Sequence, residues 1–242
     1  MINENGTLIY NHDDPELKSL VRNCRTGLKK IGYSVPEFEI NNGTTNIIFN
    51  CKAFPLKIFG KHNLANINGA RLVCNELGIS DENFLESITS FDGTANRLEL
   101  IKNNGDKYLF KDFAHAPSKV LATVNAVKEQ FPQHTLVACL ELHTFSSLNS
   151  NFLSQYFGSL NKADKACVYF NNHALQLKKL PPIETELVKD AFKYNNLAVF
   201  NDSAKMVGFL EQFKEGKIVF LMMSSGNFDG LKMKELANKL LV

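Results

Sequence analysis

The chain has 242 residues, 44% of them hydrophobic and 21% charged, enough to bury a real core in one large domain or two modest ones. Its 27 basic and 25 acidic residues leave a formal charge of +2, so the charge balance implies no nucleic acid or other polyanion partner. No apolar run approaches the ~20 residues of a membrane span. The opening Met1-Ile2-Asn3-Glu4-Asn5-Gly6 lacks the basic and then apolar pattern of a signal peptide. The five cysteines are scattered, with no Cys-x-x-Cys pair, which points to a reducing cytoplasm.

Thr7-Leu8-Ile9-Tyr10 reads as a short strand, and Asp14 before Pro15 suits the start of a helix carrying Glu16 to Val21. Asn41-Asn42-Gly43 reads as a hairpin turn between strands at 37–40 and 46–49. Residues 55–60 read as another strand. Gly60 opens a helix that runs through Leu77 and stops at Gly78. Ser80 before Asp81-Glu82-Asn83 starts the next helix. Phe91-Asp92-Gly93-Thr94-Ala95-Asn96 breaks the pattern, and the boundary is drawn there, between residues 1–91 and 92–242.

Beyond the break, strand-like and helical runs alternate. Strands are expected at 97–101, 108–110, 135–141, 166–170, 197–200 and 217–223, and helices at 117–130, 150–159, 184–193, 202–213 and 229–240. This alternation, with fully apolar strands such as Ile218 to Met223, predicts an α/β fold: a mostly parallel sheet with flanking helices. Right-handed crossovers are expected.

Four clusters carry candidate chemistry. Asn63 and Asn66 lie three apart at a helix opening and share one face, and amides that both donate and accept suit a purine edge. The plainer alternative is a helix cap with solvated neighbours. Arg97 is a natural clamp for phosphates and hydroxyls, although a lone Arg at a strand start is more often solvated or paired. In Asp112-Phe113-Ala114-His115-Ala116-Pro117 a strand ends in a carboxylate and an imidazole, just before a helix for which Pro117 fits the first position. Ligand crevices in α/β sheets form at such carboxyl edges. Asp112 is therefore expected at an exposed sheet edge, with a turn or cap role as the alternative. The fourth group comprises two loops after strands, Glu141-Leu142-His143-Thr144-Phe145-Ser146-Ser147 and Ser224-Ser225-Gly226-Asn227-Phe228-Asp229-Gly230. Small polar residues and glycine ahead of a helix can hold an anion on backbone N–H groups, or simply form a turn capped by Asp229. In a parallel sheet both loops share an edge with Asp112 and His115.

Other chemistry is missing from the sequence. Gly27 and Gly32 are five apart, but Tyr33-Ser34 follows where a phosphate loop needs Lys-Ser or Lys-Thr. There is no Gly-x-Gly-x-x-Gly fingerprint for a dinucleotide-dependent oxidoreductase, no zinc spacing and no nucleophile elbow. The six histidines are scattered, so no metal site is assigned to this chain.

Taken in order, Asn11-His12-Asp13-Asp14-Pro15, Gly60-Lys61-His62-Asn63-Leu64-Ala65-Asn66, Arg97-Leu98-Glu99 and Asp112-Phe113-Ala114-His115-Ala116-Pro117 resemble the Mur ligases. These are ATP-dependent amide-forming enzymes of peptidoglycan synthesis, tied to cell-wall biogenesis, cell shape and division. Glu141 to Ser146 and Ser224 to Asn227 are most similar to the muramate–alanine ligase and the murein-tripeptide recycling ligase, with the recycling type preferred. The resemblance implies that residues 1–91 are the last part of a central ATPase domain and residues 92–242 a Rossmann-like C-terminal domain. It implies that Asn63 and Asn66 contact adenine, that Arg97 and Asp112 hold ribose and phosphates, and that His115 lies beside them. Glu141, His143, Thr144, Ser224, Ser225 and Gly226 would border the incoming amine, and no catalytic residue is assigned. The implied cofactors are ATP and magnesium. The implied substrates are UDP-N-acetylmuramate and an amino acid or murein tripeptide. Two departures leave the amine open: Ala116 stands where relatives often carry a second His, and Ser147 where alanine ligases often carry Arg. The family's phosphate loop, carbamylated lysine and most magnesium ligands are expected upstream of these residues, so the chain is not expected to ligate by itself. The alternative is a non-catalytic nucleotide- or muropeptide-binding module.

Overall fold

The computed structural model describes residues 2–3, 5–24 and 27–242, so Met1 and Glu4 of the opening stretch lie outside the described residues. The chain divides into two compact units, Met1–Asp92 and Gly93–Val242.

In the first unit, β1 (Thr7–Asn11), α1 (Pro15–Arg22) and β2 (Lys29–Tyr33) form a βαβ element with its two strands parallel. Asp14 caps α1, accepting from the N–H groups of Glu16 and Leu17 at 2.9 and 3.0 Å, and Pro15 sits where its missing N–H costs nothing. β2 had no forecast: Lys29-Lys30-Ile31-Gly32-Tyr33 is too exposed and too interrupted to show a period.

β3 (Phe38–Asn41), β4 (Thr44–Phe49) and β5 (Lys52–Leu56) make an antiparallel sheet in that order. Asn42 and Gly43 have φ of 49° and 77°, the left-handed pair that a primed hairpin turn demands. Asn50 and Cys51 repeat the device with φ of 49° and 60°, without a glycine. That turn gave no signal, and the strand expected at 55–60 instead begins at Lys52 and ends at Leu56. α2 (Lys61–Glu76) and α3 (Asp81–Ile88) cover this sheet, with Leu64, Ile67 and Leu85 packed on Ile47, Phe54 and Leu56.

The second unit holds β6 (Glu99–Asn103), β7 (Lys107–Asp112), α4 (Pro117–Gln130), β8 (Thr135–Leu142), α5 (Ser150–Leu153), β9 (Lys165–Phe170), α6 (Asn172–Leu177), α7 (Thr185–Phe192), β10 (Ala198–Phe200), α8 (Ser203–Leu210), β11 (Ile218–Met223) and α9 (Met233–Leu240). Its six-stranded sheet runs β10-β9-β8-β11-β7-β6, parallel throughout except for β6 against β7. The mixed α/β fold with a mostly parallel sheet is thus the one expected. All six residues of β11 are buried, as an interior strand covered on both faces requires. On one face Val137, Cys139, Phe220 and Met222 pack against Met206 and Leu210 of α8 and Leu236 and Leu240 of α9.

Several helices differ from expectation: α6 (Asn172–Leu177) had no forecast, and α8 ends at Leu210, short of 213. The run at 150–159 closes after Leu153 into a 3₁₀ turn at Ser154–Tyr156. The last helix begins at Met233 rather than 229, because Phe228, Asp229 and Gly230 have φ of 52°, 60° and 80°, which no right-handed helix accepts.

Candidate functional site

After β7 the chain moves outward through β8, β9 and β10, then returns to insert β11 between β8 and β7. That reversal is a topological switch point, where open α/β sheets leave a crevice at their carboxyl ends. Met223 pairs with Asp112 on one side and with Leu140 on the other. The loops following Asp112, Glu141 and Met223 therefore leave the sheet side by side.

Asp112 is not at an exposed edge. It is 4% exposed, and both carboxylate oxygens are engaged. Oδ2 accepts from the Leu98 N–H at 2.8 Å; Oδ1 accepts from the Ala114 N–H at 2.7 Å and from the Thr123 hydroxyl at 3.3 Å. The cause is local. Asn96 and Leu98 both have positive φ, 59° and 45°, so the chain kinks on either side of Arg97 and turns the Leu98 N–H toward β7. The Phe113 N–H donating to the Asn96 carbonyl at 2.8 Å ties the same two segments. Asp112 thus braces the turn that presents Arg97. Arg97 is exposed, and its guanidinium lies 5.1 Å from the Phe113 ring centroid. His115 meets the same ring edge-on at 5.2 Å, and its Nδ1–H donates to the Phe113 carbonyl at 2.9 Å. Arg97, Phe113 and His115 form one surface cluster. Phe113 was not among the candidates, and only its place between Asp112 and His115 could have suggested it.

The second cluster is built on Glu141, 2% exposed near the end of β8. Its Oε2 accepts from the Ser224 hydroxyl and from the Phe228 N–H, the latter at 2.9 Å. Its Oε1 lies 3.6 Å from His143 Nδ1, within ion-pair reach and longer than a hydrogen bond. Gly226 donates its N–H to Ser224 Oγ at 2.6 Å. A Cβ on Gly226 would stand 2.8 Å from His143 Cγ and 2.9 Å from Glu141 Oε2, so only glycine lets the backbone lie this close. Ser225 Oγ is buried without a hydrogen-bond partner among the described residues. Tyr169 pairs with Glu141 across β8 and β9, and burial, then the charges of Asp229 and Glu141, push its phenol up to about 12.

Thr144 serves its own loop. Its N–H and hydroxyl both donate to Ser147 Oγ at 2.9 Å, and the Ser147 N–H returns to Thr144 Oγ1 at 3.1 Å. Ser147 is 1% exposed, so it is a loop fastener. Phe145 at the loop tip is exposed, with Lys178 Nζ 4.8 Å from its ring centroid. The Phe228 N–H was missed as a Glu141 partner, because nothing in the sequence marks its left-handed backbone.

In the first unit, Asn63 lies in the first turn of α2 and donates its amide to the Phe59 carbonyl at 2.8 Å, while Asn66 one turn on is exposed. The helix N-cap is Gly60, so neither Asn caps it. Among the described residues, no group of three His, Cys, Asp or Glu side chains could hold a metal ion, and no helix is long and apolar enough to cross a membrane.

No protein-family model matches the chain. A UDP-N-acetylmuramate–L-alanine ligase of Desulfitobacterium hafniense is 32% identical over 115 residues, covering 48% of this chain and 25% of that protein. The corresponding ligase of Chlorobaculum tepidum is 25% identical over 244 residues, covering 93% of this chain and 51% of that protein. Among solved structures, a murein peptide ligase from Psychrobacter arcticus is similar with a TM-score of 0.61 at 20% identity, over 99% of this chain and 52% of that one. The chain spans a quarter to about half the length of these relatives.

Proposed function

We infer that this chain, a member of the Mur ligase family, carries the C-terminal part of an ATP-dependent ligase that joins an amino acid or murein peptide to UDP-N-acetylmuramate. On this reading residues 1–91 belong to the ATP-binding domain and 92–242 form the C-terminal domain. The carboxyl edge at β8 and β11 receives the incoming amine. The observation that carries the assignment is the Glu141–His143–Ser224 cluster, a buried acid and a half-exposed base at the switch point, closed by Gly226. Arg97 suits a phosphate or ribose hydroxyl, since it is exposed and its guanidinium lies against the Phe113 ring. His115 would flank it. Asp112 acts behind Arg97 as its brace. Asn63 and Asn66 would meet adenine, Asn66 with the freer amide.

ATP, when bound, supplies the phosphoryl group that activates a carboxylate. By the family resemblance, magnesium would be held mainly by ligase residues other than those of this chain, together with the phosphates of ATP. The sequence has no Gly-rich Lys-Ser or Lys-Thr loop, so the chain is proposed not to ligate by itself. The same observation favours a second reading, a binding module for nucleotide or muropeptide. An in-frame upstream segment with such a loop separates the two, because the ligase reading requires it.

Calorimetric titration with ATP–magnesium, L-alanine and murein tripeptide tests the assignment, alongside a phosphate-release assay with all substrates present. Heat with one amine and no phosphate release is the expected result. Release by the chain itself overturns the inactivity. A folded chain silent to nucleotide and to both amines overturns the ligand assignments.

A further inference from the structure

The two helices of the first unit leave a space against its antiparallel sheet. A cavity of about 170 Å³ is walled there by Ile47 and Phe49 of β4, Ile67 of α2 and Leu85 of α3. Two polar side chains of α2, Asn68 and Arg71, line it as well. Both are held in place. Asn68 donates its amide to the Ser34 carbonyl at 2.9 Å, and its Oδ1 accepts from Arg71 Nε and Nη2 at 3.1 and 2.9 Å. Arg71 Nη1 donates to Asp81 at the start of α3, and the guanidinium lies 5.5 Å from the Phe49 ring centroid. These struts tie α2 to the Ser34 segment and to α3, and so resist a shift of the helix into the space. They use three of the five guanidinium N–H groups. One N–H on each Nη has no partner among the described residues.

We propose that this cavity is a binding site for a small neutral molecule, one apolar ring or branched aliphatic group that carries a single hydrogen-bond acceptor. Size and lining set the apolar part. A cavity of ~150 Å³ lined by leucine, isoleucine and phenylalanine takes up benzene, and this one is similar in both respects. The two spare N–H groups set the acceptor, since a wholly apolar ligand would cover them and leave them unpaired away from water. Charge sets the neutrality. Asp81 already balances Arg71, and Glu37, which also lines the cavity, is exposed with no counter-ion among the described residues. An entering carboxylate would meet one cation that is already paired and two acids.

The cavity is separate from the candidate nucleotide face. At 100° per residue, Asn68 and Arg71 stand about 140° around α2 from Asn63 and Asn66. It lies wholly in the first unit and draws on no residue assigned to nucleotide or amine.

The test is a chemical-shift titration of the ¹⁵N-labelled full chain with acetophenone, α-methylstyrene and benzoate. Each probe has one benzene ring. Acetophenone adds a carbonyl acceptor, α-methylstyrene has a CH₂ in place of that oxygen, and benzoate brings a charge. Acetophenone should shift the amides of Phe49, Asn68 and Arg71 with saturation. α-Methylstyrene should shift the same amides with about tenfold lower affinity, for want of a hydrogen bond to the charged guanidinium. Benzoate should leave them in place. Arg71→Met should bring the affinity for acetophenone down to that for α-methylstyrene and leave the latter unchanged. If that variant does not fold, the order of the three probes on the wild-type chain decides. Equal affinities for acetophenone and α-methylstyrene, or tightest binding of benzoate, overturn the ligand class. No saturable shift at these amides with any probe overturns the site, as do shifts confined to Asn63 and Asn66.

Discussion

Replacing Asp112 with Ala should destabilise the Gly93–Val242 unit. The carboxylate is 4% exposed and takes two backbone N–H groups, from Leu98 at 2.8 Å and Ala114 at 2.7 Å, as well as the Thr123 hydroxyl. Each buried N–H left without an acceptor costs about 2 kcal/mol. Leu98, held at φ 45°, can relax once its partner is gone, recovering about 1 kcal/mol of backbone strain. The net loss is about 3 kcal/mol, and at ~2–4 °C per kcal/mol for a unit of this size, the Tm should fall by about 6–12 °C. Thermal denaturation followed by circular dichroism reads it directly. Arg97 should lose its fixed presentation in the same variant, so nucleotide affinity should fall as well. An unchanged Tm with weakened nucleotide binding would mean that the carboxylate is a ligand contact and not a brace.

Arg97→Ala should separate the two roles. Its side chain is exposed, so stability should move by less than about 0.5 kcal/mol in urea denaturation, while ATP affinity falls. Gly226→Ala should cost about 1–3 kcal/mol and abolish amine-induced heat, because the new Cβ displaces either His143 or Glu141; a variant with wild-type Tm and affinity contradicts that geometry. His134 should make stability fall with acidification. Both ring nitrogens are buried without hydrogen-bond partners among the described residues, and burial first, then Lys217, holds the imidazole below its ordinary 6.5, with Lys128 adding to this and Asp106 opposing. The unfolded chain therefore takes the proton first, and stability drops from about pH 7 through 6.5 until the folded ring also titrates. His134→Phe, which fits among Tyr108 and Phe131, should flatten that limb in urea denaturations at stepped pH.

Much of the second unit was legible because its strands are apolar end to end and its helices start and stop on recognisable residues. Pro117 opens α4 at its first position, and β11 reads as one buried run. The shared carboxyl edge followed from parallel strands once their order was known, and Glu141, His143, Ser224 and Gly226 do meet there. What stayed hidden depends on backbone conformation that side-chain type does not announce. Leu98, Cys51 and Phe228 adopt left-handed φ without being glycine or asparagine. The first turns the Leu98 N–H to Asp112 and buries the acid; the second moves the start of β5; the third delivers an N–H to Glu141 and delays the last helix. The hydrogen bonds that tie Thr144 to Ser147 three residues on were equally hidden, because neither residue type announces its partner.

The most direct test of the central claim is a chemical-shift map of the ¹⁵N-labelled chain titrated with L-alanine and with murein tripeptide at pH 8. One of them should perturb the amides of His143, Thr144, Ser225, Gly226 and Phe228 most strongly, with saturation. Shifts confined to the Met1–Asp92 unit, or none with either amine, would contradict it.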